Sequence, residues 1–304
     1  MDPTDKTILL ALDENCRLSY QSLADMLGVT ANAVKKRMDR LIETGVIEEY
    51  SIVLRPAMMG SDYLIALVST DGSENEEKFM EHLGSHLMII QVGQIVTGTG
   101  RLYFLHCEYI GAEGLQNVGS FLRTLESVTN IELHTILTKP GEMFEIKNLH
   151  LRVLKYLLDD ARMQVSEISE QSGLTSRRVS RAIQEMQSSN AFWFAVRWNL
   201  SLGQNTEFYL KIEYDEQVSR MDAIDEWLRE RFPDDYWFSF YSAMEPILFA
   251  KFVTNHFRDA EEISRSTKNT PFSKSVDVLL SYPVRKFTRL GKIKIEEMIR
   301  DSGI

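Results

Sequence analysis

The chain repeats itself at a displacement of 145 positions, and this constrains its fold more than any bulk property. Ile8, Leu9 and Leu12 fall on Val153, Leu154 and Leu157, and Leu41 falls on Met186. Between them GVTANAVKKRM, from Gly28 to Met38, falls on GLTSRRVSRAI, from Gly173 to Ile183. The apolar frame, a glycine and a threonine recur in register, while the residues between them differ. A duplicated unit behaves this way, since its core is held and its surface drifts. Whatever one half folds into, the other half folds into as well.

Each copy reads locally as two short helices around a tight turn. Leu23, Ala24 and Leu27 form one apolar stripe, and Val34, Met38 and Leu41 form the next, both at helical spacing. Gly28 stands where the first helix must end in a left-handed residue. Thr30 is placed to cap the second helix, Gly45 to stop it, and the small Ala24 to let the helices cross closely. The outward positions then carry Ala31, Asn32, Lys35, Lys36, Asp39 and Arg40. That is a helix-turn-helix with a basic second helix, the shape that lays its N-terminal half in a DNA major groove. The competing reading is a helical hairpin with a solvated basic face. Alternating segments follow in both copies, at 46–54 before Arg55, Pro56 and Gly60, and at 191–200 before Gly203. They predict a hairpin, and so a winged helix, in each half. Glu48 and Glu49 suit a phosphate-gripping wing poorly.

Beyond each winged helix the pattern changes to strand, helix, strand, strand, helix, strand, over 62–138 and again over 207–282. This βαββαβ order is the ferredoxin-like split unit. The predicted class is therefore α+β, with two winged helix-turn-helix domains (1–60 and 146–203) alternating with two ferredoxin-like domains (61–140 and 204–284). The stretch 138–147 links the halves. A final helix over 287–301 lies outside the repeat, in a tail 285–304 that carries Arg285, Lys286, Arg289, Lys292 and Lys294. Phe287, Leu290 and Ile293 give that helix an apolar stripe. The tail is thus predicted to dock on the protein, with phosphate contact as the alternative.

The 304 residues provide apolar content for several cores, and no run approaches a bilayer span. The N-terminus has no signal-peptide core, and the two cysteines, Cys16 and Cys107, read as reduced thiols, so a cytoplasmic protein is expected. A net charge of −10 argues against non-specific coating of nucleic acid, though not against positive charge concentrated on a few helices. His82 and His86 share a helix face without a third ligand at suitable spacing. His106 and Cys107, adjacent on a strand, point to opposite faces. No metal, no cofactor and no catalytic constellation is expected.

The motif L-A-x-x-L-G-V-T-x-x-x-V-x-x-R-M-x-R-L-x-x-x-G-V-I, from Leu23 to Ile47, resembles the Lrp/AsnC family of prokaryotic transcription regulators. The resemblance covers nearly the whole chain twice over, with Asn190 and Ala191 replacing the Gly-Val in the second copy. It implies a tandem, non-enzymatic regulator that binds double-stranded DNA, answers to a small-molecule effector and forms homodimers or larger oligomers. The implied DNA-binding residues are Thr30, Asn32, Lys35, Lys36 and Arg40, with Ser176, Arg177, Arg178 and Arg181 in the second copy. The family's effector site lies around a T-G-x-x-D turn, which maps to Thr97, Gly98, Thr99, Gly100 and Arg101. Arginine replaces the acidic residue there and leaves an amino acid's ammonium group without a partner. The second copy has Tyr241, Ser242, Ala243, Met244 and Glu245 at that turn, without glycine. Two alternatives share the architecture. One is a sirohaem decarboxylase-like tetrapyrrole enzyme, for which only Arg101, His106 and His134 stand in the effector strands. The other is an assembly module that does not bind DNA.

Overall fold

A computed structural model describes residues 2–97, 100–203 and 205–304. In chain order the first half holds α1 (Pro3–Glu14), α2 (Tyr20–Leu27), α3 (Ala31–Glu43), β1 (Ile47–Leu54), α4 (Pro56–Met59), β2 (Ser61–Thr70), α5 (Glu76–Gly84), β3 (Ile89–Ile95), β4 (Arg101–Ile110), α6 (Gly111–Arg123) and β5 (Val128–Ile136). The second half holds α7 (Asn148–Leu157), α8 (Val165–Ser172), α9 (Ser176–Ser188), β6 (Phe192–Trp198), β7 (Thr206–Tyr214), α10 (Met221–Arg231), β8 (Tyr236–Tyr241), β9 (Ile247–Thr254), α11 (Phe257–Lys268) and β10 (Ser273–Leu280). The tail adds β11 (Arg285–Lys286) and α12 (Leu290–Asp301). The chain divides into two compact units, each assembled from pieces of both halves.

The helical unit comprises Asp2–Ser61, Lys139–Asn199 and Thr288–Ile304. Its cores are built from the repeated frame: Ile8, Leu9, Leu12, Val34, Met38 and Leu41 are buried, as are Val153, Leu154, Leu157, Val179, Ile183 and Met186. Gly28 and Gly173 end α2 and α8 with the same φ of +66°. Thr30 and Thr175 cap α3 and α9, accepting from the amides of Ala33 (3.2 Å) and Arg178 (3.4 Å). At the end of α9, Asn190 adopts φ +52°, where the first copy has Gly45 at +75°. Asparagine tolerates the left-handed region, so the turn survives the loss of its glycine.

The predicted hairpins are corrected. Neither β1 nor β6 folds back on itself; they pair with each other, antiparallel, from Ile47↔Trp198 to Leu54↔Phe192. Each winged helix contributes one strand to a ribbon shared by both. Two repeat-related arginines close the joint reciprocally. Arg17 Nη1 donates to the carbonyls of Ala161 (2.7 Å) and Met163 (3.0 Å), and Arg162 Nη1 donates to the carbonyl of Cys16. Cys16 is buried there, and burial pushes its thiol up to about 12.

The sheet unit comprises Asp62–Thr138 and Leu200–Phe287. One sheet runs β11-β3-β4-β2-β5 and the other β10-β7-β9-β8, so each copy has the ferredoxin-like order. On one face of each sheet lie two helices. In the first, Leu64, Ala66, Val68 and Tyr103 pack with Phe79 and Leu83 of α5 and Val118 and Leu122 of α6. In the second, Phe208, Leu210 and Phe252 pack with Ile224, Leu228, Ala260 and Ile263. The other faces pack on one another, with Tyr63, Ile65 and Phe104 against Tyr209, Phe249 and Leu279. Phe104 stacks on Tyr209 with ring centroids 4.7 Å apart. The buried Lys251 and Glu207 pair at 2.8 Å. Backbone hydrogen bonds join the sheets at two corners, Leu137 N to Tyr241 O (2.9 Å) and Val96 N to Leu280 O (2.8 Å).

The tail splits between the units. In the sheet unit, β11 extends the edge of β3, and the Phe287 ring lies over Gly84, where a Cβ would stand 1.9 Å from it. In the helical unit, α12 buries Ile295 and packs Met298 and Ile299 into the core of Leu54, Leu151 and Leu154. Gly291 weakens the helix in isolation, but it abuts Leu54, whose Cβ would be 3.2 Å from an added methyl group. Lys294 donates to the carbonyl of Met58 at 3.1 Å, so part of the tail's basic charge serves docking. Replacing the buried Ile295 with alanine should cost about 2–4 kcal/mol in denaturant unfolding. Lys292→Ala, on the exposed face, should fall within about 0.5 kcal/mol of wild type.

Candidate nucleic-acid interface

Helices α3 and α9 present the same outward positions with different chemistry. On α3, Asn32, Lys35 and Lys36 are exposed, with the capping Thr30 just before them. On α9 the exposed set is Ser176, Arg177, Arg178, Ser180 and Arg181, beginning after Thr175. Lys35, Lys36, Arg177 and Arg178 enter no ion pair among the described residues. Because β1 and β6 pair antiparallel around Tyr50↔Val196 and Ser51↔Ala195, an approximate two-fold axis relates the two copies. Two helices so related are the arrangement with which helix-turn-helix dimers address two half-sites.

Arg40 and Arg181 are engaged in the protein itself. Arg40 bonds to Asp5, whose other oxygen accepts from Arg37 at 2.9 Å. Asp5 is 3% exposed and Arg40 55%, so the carboxylate is the buried partner and the guanidinium the one at the surface. Displaced along the repeat, Asp5 becomes His150 and Arg40 becomes Glu185, and these two also bond, at 2.9 Å. The contact is kept with its donor and acceptor exchanged. His150 Nδ1 accepts from the amide of Lys147 at 3.0 Å, so its proton sits on Nε2 and is donated to Glu185. Arg181 binds the other oxygen of Glu185 at 2.7 Å. Hydrogen bonds from His150 and Arg181 hold the Glu185 carboxyl below the ordinary range. This staple between α1 and α3, or α7 and α9, joins residues 35 apart and was not legible from helical spacing.

The other candidates lie apart. Thr97 is exposed and donates to the carbonyl of Gly100 at 3.1 Å, while Gly98 lies outside the described residues. Gly100 has φ +63°, and a Cβ on it would fall 2.4 Å from the carbonyl oxygen of Thr70. Arg101 pairs with Glu74 at 3.2 Å and donates to the carbonyls of Glu74 and Gly72. Among the wing acids, Glu49 pairs with Arg197 at 2.7 Å across the ribbon. His82 and His86 flank Phe121, with centroids 5.4 and 4.7 Å away, and no metal-holding group of three His, Cys, Asp or Glu occurs among the described residues. Cys107 is buried, its thiol pushed up to about 12 by burial. No described helix is long and apolar enough to cross a membrane.

The family model for winged helix-turn-helix DNA-binding domains matches this chain at residues 1–48 and again at 146–190. An uncharacterized HTH-type transcriptional regulator of Pyrococcus horikoshii is 28% identical over 151 residues, 48% of this chain and 97% of its own length. The HTH-type transcriptional regulator LrpA of Pyrococcus abyssi is 35% identical over 71 residues, 23% of this chain and 50% of its own. Among solved structures, the sirohaem decarboxylase NirDL superposes over the full length of both chains with a TM-score of 0.54 at 14% identity. At that identity the likeness is one of fold. The repeated reader helices and the matched model define a winged helix-turn-helix DNA-binding protein. Within that class the relatives it matches are HTH-type transcriptional regulators, and this chain carries the matched winged helix-turn-helix twice.

The staple should show strong non-additivity. Arg40→Ala alone leaves Asp5 on Arg37 and should cost less than about 1 kcal/mol. Removing Arg37 and Arg40 together strands a buried carboxylate and should cost about 3 kcal/mol or more, beyond the sum of the single changes. Urea unfolding of the three variants measures this.

Proposed function

We propose that one chain does the work of a regulator dimer on DNA, presenting α3 and α9 as two unlike readers to two unlike half-sites. The observation that carries this reading is the shared β1–β6 ribbon, with the reciprocal Arg17 and Arg162 bonds, which pairs the two copies inside one unit. Asn32 and Arg177, near the starts of their helices, are the base-reading residues. Asparagine suits adenine and arginine suits guanine. Lys35, Lys36, Arg178 and Arg181 neutralise phosphate, and Thr30 and Ser176 hold the backbone register at the helix starts. Arg40, tied to Asp5, reaches phosphate only with whatever donors the staple leaves over. The regulator works in the cytoplasm, and association of chains into pairs or larger species belongs to the same reading.

A tetrapyrrole enzyme is the second reading, and the full-length fold match to a sirohaem decarboxylase favours it. The side chains it would need are otherwise employed. Arg101 is tied to Glu74, His134 lies 3.1 Å from Glu245, and His106 is packed between Tyr63 and Phe240. An absorbance titration with sirohaem separates the two readings.

Selection of bound sequences from a random duplex pool should return an asymmetric site. Asn32→Ala should relax preference at one base pair, by about 1–3 kcal/mol for a lost bidentate contact, and Arg177→Ala at a base pair in the other half-site. Lys36→Ala should weaken every sequence alike and lower the salt slope by about 0.9. Loss of discrimination at equivalent positions in both mutants would defeat the asymmetry. No effect of Arg177→Ala on any sequence would leave only the first copy as a reader.

A further inference from the structure

We propose that the end of the first sheet, where β2 and β4 meet, is a carboxylate-recognition site which the chain fills with its own Glu74. Glu74 Oε1 accepts hydrogen bonds from Thr70 Oγ1 at 2.8 Å and Tyr103 Oη at 2.9 Å, and lies 3.2 Å from Arg101 Nη1. The Glu74 side chain is 6% exposed, so these donors hold a carboxylate out of water. Each of the three has contacts of its own besides the Glu74 carboxylate. Tyr103 is wholly buried with its ring against Phe79, 4.9 Å between centroids. Thr70 ends β2, and Arg101 Nη1 donates to the carbonyls of Glu74 (2.8 Å) and Gly72 (3.3 Å), which any occupant would leave in position. Oε2 of Glu74 is buried with no side-chain donor, so the cradle grips a single oxygen.

The donor set defines the ligand class. One cation and two hydroxyls converge on Oε1, while a second acid, the half-exposed Glu76, lies 4.0 Å from Arg101 Nε on the outer side. With Glu74 removed, the buried donors are left for a carboxylate while Glu76 stays turned toward Arg101, so the site suits a simple monocarboxylate. In the native chain the site is closed, and a free amino acid finds Arg101 already engaged. Burial alone would raise the Glu74 carboxyl, but its own amide, Thr70, Tyr103 and Arg101 together hold it below the usual 4.5. A group depressed in this way contributes stability above its unfolded value and loses it as pH falls through the depressed one.

The inference goes beyond DNA reading, and its test uses no DNA. Glu74→Ala in the full-length chain should lower the thermal midpoint at neutral pH. Sodium formate or acetate should then raise the midpoint saturably, while sodium chloride at matched ionic strength should not. The wild type should not respond to either carboxylate, and the double variant Glu74→Ala/Arg101→Ala should lose the response. An equal shift in wild type and Glu74→Ala, no shift in Glu74→Ala, or a shift persisting in the double variant would overturn the proposal. Should Glu74→Ala fail to fold, carboxyl-carbon NMR of the wild type decides. Glu74 should titrate below 4.5 and move upward in Tyr103→Phe, and a native titration at or above 4.5 would overturn the site.

Discussion

The helical unit depends on a pairing that neither copy can make alone. A single strand following a helix-turn-helix leaves both of its edges unpaired, and isolated strands are not stable in water. Here β1 and β6 complete each other, and the amides next to the joint are used as well: Cys16 N bonds to Phe194 O at 2.7 Å and Ala161 N to Tyr50 O at 3.1 Å. The Arg162 guanidinium, while donating to Cys16, lies over the rings of Tyr20 and Tyr50 at 5.3 and 5.5 Å. A planar cation stacked on two aromatic faces and bonded to a carbonyl is held in orientation as well as in place. The ribbon therefore sets the relation of α3 to α9. A change that loosened it would disturb both readers together.

Within that near-symmetry the copies differ where only one of them is constrained. α12 packs beside α7 and β1 and adds Ile295, Met298 and Ile299 to the second copy's core. In the sheet unit β11 covers the edge of β3, while β8, its counterpart, is left as an edge strand in the second sheet. The exchange of Asp5 and Arg40 for His150 and Glu185 is subtler. Both versions fasten the first helix to the reader helix with one buried and one partly exposed member. In the first copy the exposed member is a cation on α3, and in the second it is an anion on α9. Glu185 then draws Arg181 toward itself, which leaves Arg177 and Arg178 as the unpaired cations at the start of α9.

What the sequence made legible follows from how short the responsible interactions are. The helix frames, the turn glycines and the threonine caps could be read because their partners lie within four residues along the chain. The ferredoxin-like order was readable for the same reason, since each strand and helix has its own apolar period. The partner of β1 was not readable. Two-residue alternation says that a strand has two faces, but not which strand lies beside it, and β6 begins 138 positions after β1 ends. The outward position of Arg40 is visible in the sequence, whereas its bond to Asp5, 35 residues away, is not. Asn190 looked like decay of the motif, but its φ of +52° shows the turn intact. Arg101 carries the wrong charge to receive the ammonium group of an amino-acid effector. It pairs instead with Glu74, 27 residues earlier, a match that becomes visible only when β2 and β4 lie side by side.

Fusion also changes what the reader helices are free to become. In a dimer of identical chains every outward substitution appears twice, so a residue suited to one half-site is imposed on the other. Linking the copies removes that requirement while the buried frame stays under the same packing constraint in both. The present chain has the pattern that this predicts. Val34 and Val179, Met38 and Ile183, and Leu41 and Met186 remain apolar and buried, while Asn32 and Arg177, Lys35 and Ser180 share no chemistry. Burial tolerates only residues of similar volume and polarity, whereas an exposed position is answerable to its partner molecule alone. On the exposed faces of α3 and α9 the divergence falls at positions where two different partners, or two different half-sites, could be told apart.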